Sequence, residues 1–293
     1  MLSNKPKLSI PVGVVMLLLA LGCSAAPDLG KLWRAARSGT YESAAAAELS
    51  EAQRLFEAEL AGASTTTAAW QALGIERFGV TVADRACAIL REAIEARRGR
   101  GFYLFCAGAD NTVALQVPHA ITDLHTGAIG ATLAAGGRFA VVAWNTVRRR
   151  TETEGRLVEA DLAHLHASYF TALTEAIANS EHIDRVVQIH GFAASRRRSA
   201  AAARAAFIVS AGTRNPPPAI AATAALLQRE FSLPALVYPR DTRELGGTTN
   251  RSGEILRRAG FEGFLHLEMN RGLRDRLRAD EVMAARLAAV LAP

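Results

Sequence analysis

Four apolar runs in this 293-residue sequence close on residues that can bind a metal ion or move a proton. "TVALQVPH" ends in His119, "RFAVVAWN" in Asn145, "DRVVQIHGF" carries His190, and "GFLHLEMN" carries Glu268. Metal-assisted hydrolysis needs three nitrogen or oxygen donors, an open position for water and a carboxylate beside that water. His119, Asp123 and His190 supply the donors for a Zn2+ ion, and Glu268 supplies the base. His119 and Asp123 are close enough for one loop to aim both, whereas His190 must arrive on a neighbouring strand.

Each residue also suits a plainer role. His119 can cap the following helix, His190 can serve the turn at Gly191, and Glu268 can pair with Arg271 or Arg274. In "VPHAITDLHTG", His125 competes with Asp123 as the second donor; the aspartate is preferred because it leaves the site's charge closer to neutral. His164 in "DLAHLHASYF" suits a packed or partly exposed helix position. In "LGGTTNRSGE", Thr249 and Asn250 are binding candidates, although Asn250 or Ser252 can simply cap a helix.

Taken together, "PHAITDLHTGAIGATLA", "NTVRR", "QIHGF" and "HLEMNRGLR" resemble the zinc-dependent N-formylglutamate amidohydrolase and poly-gamma-glutamate hydrolase group, related in fold to zinc carboxypeptidases. The resemblance covers roughly residues 100–290. It implies His119, an acidic residue soon after it and His190 as zinc ligands, with Glu268 as general base. It also implies an arginine that grips a substrate carboxylate, either Arg148 or Arg271. Asn145, which closes an apolar run, and Asn250 are read from the residues themselves as further substrate contacts. The first motif departs from the carboxypeptidase pattern, which places glutamate three residues after the histidine; here Asp123 follows four residues after.

Other chemistries lack their residues. No Gly-x-Ser-x-Gly elbow is present, no Gly-Lys-Ser/Thr phosphate loop, and neither Cys87 nor Cys106 has a catalytic partner in sequence. The net charge of +6 is spread through short arginine groups such as Arg148–Arg150 and Arg196–Arg198, without aromatic interleaving. Nucleic acid is a poor partner for that pattern, whereas arginine suits carboxylates, which it holds bidentately. A GC-rich genome enriches arginine as well.

The elements that must position these residues follow from periodicity. From about residue 100, strand-like runs alternate with stretches of helical spacing, which predicts an α/β fold: a mixed, largely parallel central sheet flanked by helices, phosphorylase/hydrolase-like and zinc carboxypeptidase-related. Residues 101–293 are expected to form this domain, preceded by a helical segment over 41–100 packed on it and a tether over 23–40. The strands over 184–190 and 263–268 are expected to lie side by side or nearly so, bringing His190 and Glu268 together.

Residues 1–22 read as a lipoprotein signal peptide: Lys5 and Lys7 precede an apolar run shorter than the ~20 residues that span a bilayer. "LALGC" resembles a lipobox, which would make Cys23 a membrane lipid anchor, with Ser24 favouring an outer membrane, facing the periplasm; ordinary cleavage after "CSAA" is the alternative. In such an oxidising compartment Cys87 and Cys106 can form a disulfide or stay as two buried thiols. The expected function is an exported zinc-dependent amidohydrolase or peptidase that cleaves an amide beside a carboxylate in a small molecule or peptide. The alternative is a non-catalytic envelope lipoprotein that uses the same fold as a binding scaffold.

Overall fold

Uninterrupted apolar runs become strands only where both faces are covered, and the computed structural model shows how this chain covers them. It describes residues 26–63, 67–106, 108 and 111–293. The signal peptide over 1–22, Cys23 and Ser24 lie outside the described residues.

The chain begins with α1 (Leu29–Ala35), α2 (Ala46–Leu60) and α3 (Thr67–Ala72), then β1 (Ile75–Val82), β2 (Arg85–Glu92), β3 (Phe102–Cys106) and β4 (Val113–Val117). Next come α4 (Thr126–Ala135), β5 (Val141–Trp144), the hairpin of β6 (Arg150–Thr153) and β7 (Arg156–Glu159), α5 (Tyr169–Ala178) and β8 (Arg185–Phe192). The remainder is α6 (Ala200–Arg204), β9 (Phe207–Ser210), α7 (Pro218–Phe231), β10 (Ala235–Val237), α8 (Arg251–Arg258), β11 (Phe264–Asn270), α9 (Arg271–Ala279) and α10 (Glu281–Leu291). No helix among the described residues is long and apolar enough to cross a membrane.

Nine strands form one mixed sheet in the order β1-β2-β3-β5-β4-β8-β11-β9-β10. Its centre, β5-β4-β8-β11, is parallel, with antiparallel strands on both flanks. The expected α/β architecture is therefore present. β8 and β11 are direct neighbours, and Glu268 is the register partner of His190. In α/β sheets the carboxyl ends of parallel strands are where ligand sites gather, and both residues sit there.

Strand alternation divides the core. Leu115, Val117, Val187, Ile189, Leu265 and Leu267 pack in the cluster that includes residues of α4, α9 and α10. Ala114, Val186 and Phe264 pack in a second cluster with residues of α2, α5 and α8. Burial of this kind is the main favourable term in folding, at about 25 cal/mol per Å² of apolar surface.

Two expectations from sequence need correction. The tether over 23–40 contains α1, whose Leu29 and Trp33 are buried; Trp33 Nε1 donates to the Asn145 carbonyl at 2.9 Å. The segment over 41–100 is helical only in its first half, because β1 and β2 add two strands to the sheet. The turn joining them is Ala83-Asp84, both at positive φ, a two-residue hairpin built without the usual Asn-Gly signal. Cys87 and Cys106 are register partners on β2 and β3 and form a disulfide.

Candidate metal centre and cleft

His119 and Asp123 are brought together by a single helical turn. The Asp123 N–H donates to the His119 carbonyl at 2.9 Å, and the Thr126 hydroxyl donates to the Asp123 carbonyl at 2.6 Å. A four-residue spacing returns a side chain to the same side of such a turn, so the spacing that departs from the carboxypeptidase pattern still serves convergence.

His190 completes the group from β8. His119 Nδ1 and His190 Nδ1 are 3.0 Å apart, and Asp123 Oδ2 lies 3.4 Å from the first and 3.6 Å from the second. Donors at zinc-like bond lengths of about 2.0–2.1 Å in a tetrahedron stand about 3.3 Å apart. All three residues are buried, and these atoms form a group that can hold a metal ion. Arg149 already brings positive charge to the point: its Nη2 lies 2.6 Å from His119 Nδ1 and 2.8 Å from Asp123 Oδ1.

The partners behind these donors fix their aim. Asp161 Oδ1 lies 2.7 Å from His119 Nε2, and because a carboxylate can only accept, that nitrogen carries the proton and Nδ1 faces the centre. Burial opposes a positive charge on His119, but hydrogen bonds with Asp123 and Asp161 raise its pKa; the field that favours a proton there also favours a cation. Burial pushes His190 down to about 4 despite Asp123. Burial likewise opposes ionisation of Asp123, yet the two histidines hold its carboxyl well below the ordinary range. The Gly191 N–H also donates to Asp123 Oδ2, at 2.9 Å.

Glu268 stands beside this group without being part of the same triad. Its carboxyl is pushed up to about 8, first by burial and then by the negative charge of Asp123. Glu268 Oε2 is buried without a hydrogen-bond partner. His266, two residues earlier on the same face of β11, lies against His190 with ring centroids 4.5 Å apart and the rings tilted by 32°. Glu268 and the three donors line a cleft of about 580 Å³ with Arg149, Arg196 and Arg197 on its walls.

Arg274 holds two strand ends and the turn after Asp123 together around the cleft. It donates to the carbonyls of Leu124, Phe192 and Met269. A Cβ on Gly191 would lie 2.5 Å from the Arg274 guanidinium carbon, so only glycine lets this arginine pass.

The other sequence candidates fall differently. His125 is not in the centre: it caps α4 at a φ of 74° and faces Asp275 at 3.1 Å. Arg148 is exposed and outside the cleft, and Arg149 takes the place expected of it. Arg271 is also a correction, since it lies on the surface at the start of α9, paired with Asp275 at 2.8 Å. Asn145 is buried away from the cleft, donating to the Val147 carbonyl at 2.5 Å. Asn250 lines the cleft but is committed as the cap of α8, accepting from the Gly253 N–H at 3.1 Å. Thr249 and His164 line the cleft too, bonded to one another through the Thr249 carbonyl. Buried Ser252 faces Thr174 instead. Sequence reasoning missed Asp161 and Arg149; the only signal for the latter was its place in the run Arg148–Arg150.

No protein-family profile matches the chain, and no curated protein matches it. Solved structures do. A bacteriophage poly-gamma-glutamate hydrolase superposes with a TM-score of 0.36 at 11% identity, over 61% of this chain and 81% of its own. Succinylglutamate desuccinalase from Vibrio parahaemolyticus superposes at 0.42 and 12% identity, over 75% and 79%. A tripeptide-bound cell shape determinant protein from Helicobacter pylori superposes at 0.40 and 11% identity, over 75% and 56%. These superpositions are loose, so the chemistry rests on the side chains themselves.

Proposed function

We infer that this protein is a zinc-dependent amidohydrolase or peptidase that cleaves an amide bond beside a carboxylate. The observation that carries the reading is the convergence of His119 Nδ1, His190 Nδ1 and Asp123 Oδ2 at a tetrahedral spacing, next to a buried, unpartnered carboxyl. A zinc ion held by these three residues would polarise the amide carbonyl and acidify water. Glu268 accepts the proton of that water and delivers it to the departing amine. The raised pKa of the metal-free fold suits the second half of this task, handing the proton on; for the first half the zinc charge beside Glu268 would have to draw its own proton off. Arg149, Arg196 and Arg197 supply the positive charge that a carboxylate-bearing substrate needs.

The same reading places the protein in the bacterial envelope, lipid-anchored at Cys23 and facing the periplasm. The lipobox-like "LALGC" and the Cys87–Cys106 disulfide support it, because disulfides persist outside the reducing cytosol. Fatty-acid labelling that is lost in Cys23→Ala supports the anchor; labelling that persists removes it.

Equilibrium metal analysis of the purified chain, together with hydrolysis assays on N-acylglutamates and γ-glutamyl peptides, tests the enzyme. Wild type is expected to take up one zinc per chain. His190→Ala loses it, whereas Glu268→Gln keeps the metal and loses turnover. A wild-type chain that stays zinc-free in excess metal overturns the reading and leaves the non-catalytic scaffold.

A further inference from the structure

A chain of buried amides runs from His190 through the sheet into the helices behind it. His190 Nε2 lies 2.8 Å from Gln188 Oε1, Gln188 Nε2 lies 2.9 Å from Gln116 Oε1, and Gln116 Nε2 lies 3.0 Å from the Thr174 hydroxyl. Thr174 in turn donates to the Phe170 carbonyl of α5 at 2.8 Å. Gln116, Gln188 and Thr174 are fully buried, and Asn250 nearly so. In β-strands residues two apart share a face, and Gln116 and Gln188 are register partners on β4 and β8, so the amides meet in one layer.

An amide side chain can be turned end for end, and its orientation normally has to be assigned from its surroundings. Here two backbone groups that cannot turn decide it from opposite ends. The Phe170 carbonyl at 2.8 Å and the Ser252 hydroxyl oxygen at 3.2 Å are both acceptors for the one Thr174 proton, so Thr174 accepts from Gln116 Nε2; Gln116 Oε1 then accepts from Gln188 Nε2, and Gln188 Oε1 faces His190. Independently, the Gly253 N–H can only donate, so Asn250 Oδ1 accepts from it and Asn250 Nδ2 donates to the same Gln188 Oε1. Both anchors give one answer. Reversing the chain would leave buried donors or acceptors facing their own kind, at about 1–3 kcal/mol for each unsatisfied group.

The geometry points to Gln188, held by Gln116, Thr174 and Asn250, as the positioning residue that fixes His190 in the Nε2–H tautomer and leaves Nδ1 as a lone pair aimed at the metal centre. This inference rests on His190 being a ligand under the proposed function. Asn250 therefore acts through His190 as well as capping α8.

The test uses the full chain and separates the two readings. Nitrogen-15 NMR of the metal-free protein should show His190 as a single Nε2–H tautomer. Asn250→Asp keeps a capping oxygen but presents a second oxygen to Gln188, and should convert His190 wholly or partly to the Nδ1–H form. In zinc competition with a chelator, Gln188→Leu should lower affinity about 10–100-fold, the usual loss when a ligand's hydrogen-bond partner is removed. Gln188→Glu, which restores an acceptor, should recover it to within about threefold of wild type. A purely structural role predicts the reverse order, because a buried glutamate destabilises more than a leucine. An Nδ1–H tautomer in wild type, or equal zinc affinities for the Leu and Glu variants, overturns the inference. A wild type that binds no zinc overturns the proposed function instead, while the tautomer measurement still decides the amide chain.

Discussion

On one side of β4, β8 and β11 the buried side chains are Leu115, Val117, Val187, Ile189, Leu265, Leu267 and Met269, apolar from end to end. On the other side the same strands begin with Ala114, Val186 and Phe264, then change to Gln116, Gln188 and His266, and finish in His190 and Glu268. The backbone is shared, so the difference lies only in what each face can hydrogen-bond. The first face gains by excluding water; the second is tolerable because its amides satisfy one another, a condition buried polar groups must meet. Two atoms break that condition, His266 Nδ1 and Glu268 Oε2, both beside the cleft. Unpaired groups in an otherwise satisfied layer mark where stability has been given up for chemistry.

Breaking the apolar face should produce the largest change in stability. Leu267→Ala, at a fully buried position, is expected to cost about 2–5 kcal/mol by urea unfolding. Zinc taken up per folded molecule should not change; a variant that unfolds no more easily yet loses metal would show that the two faces are not separable.

On the polar face the expected change has the opposite sign. Glu268 in the metal-free fold titrates near 8, against an ordinary value of 4.5. Between those values the folded chain keeps a proton that the unfolded chain has released, so its stability falls as pH rises through the window. Glu268→Gln should therefore exceed wild type by about 2–3 kcal/mol at pH 7 with a chelator present, the gain vanishing toward pH 4.5. Unfolding midpoints at several pH values check this, and a difference constant with pH would refute it. His190 contributes a window of its own: its depressed pKa means that stability is present above its ordinary 6.5 and is lost as pH falls toward 4.

A smaller contrast sharpens the cleft. Arg149→Ala should raise KM for carboxylate substrates about tenfold or more, as expected for a lost charged hydrogen bond of about 1.5–3 kcal/mol. Arg148→Ala should change it less than about twofold, because an exposed arginine outside the cleft contributes little. Steady-state kinetics of the pair distinguish them, and equal effects would return Arg148 to the site.

The strands from β3 to β5 and from β8 to β11 were legible because apolar runs long enough to be buried leave few alternatives. The donors were legible because polar residues at the ends of such runs need a reason to be there. β1 and β2 were not, since "RACAILREAIEARR" satisfies helical spacing as well and its hairpin turn lacks glycine; pairing with β3 outweighs local preference. The choice between Arg148 and Arg149 was illegible for a different cause: once a strand ends, period two no longer says which way a side chain points. Asp161 lies 42 residues from the histidine it holds, at the head of "DLAHLHASYF", a stretch that reads as helix but forms a turn ahead of α5. Gln116 and Gln188 were visible as polar letters at alternate positions, but which of their ends faced which neighbour depends on Phe170 and Gly253, contacts made only by the fold.

The docking of Trp33 against the Asn145 carbonyl fixes a length as well as a contact. α1 starts at Leu29 with Asp28 as its cap, so an anchor at Cys23 would be separated from the folded body by the span from residue 23 to 28. At about 3.3–3.6 Å per extended residue that leash is under about 20 Å. Under the proposed anchoring, an enzyme so tied would work as a surface-bound catalyst: it would sample only a thin layer next to the membrane, and its encounters would be with material that comes within that layer.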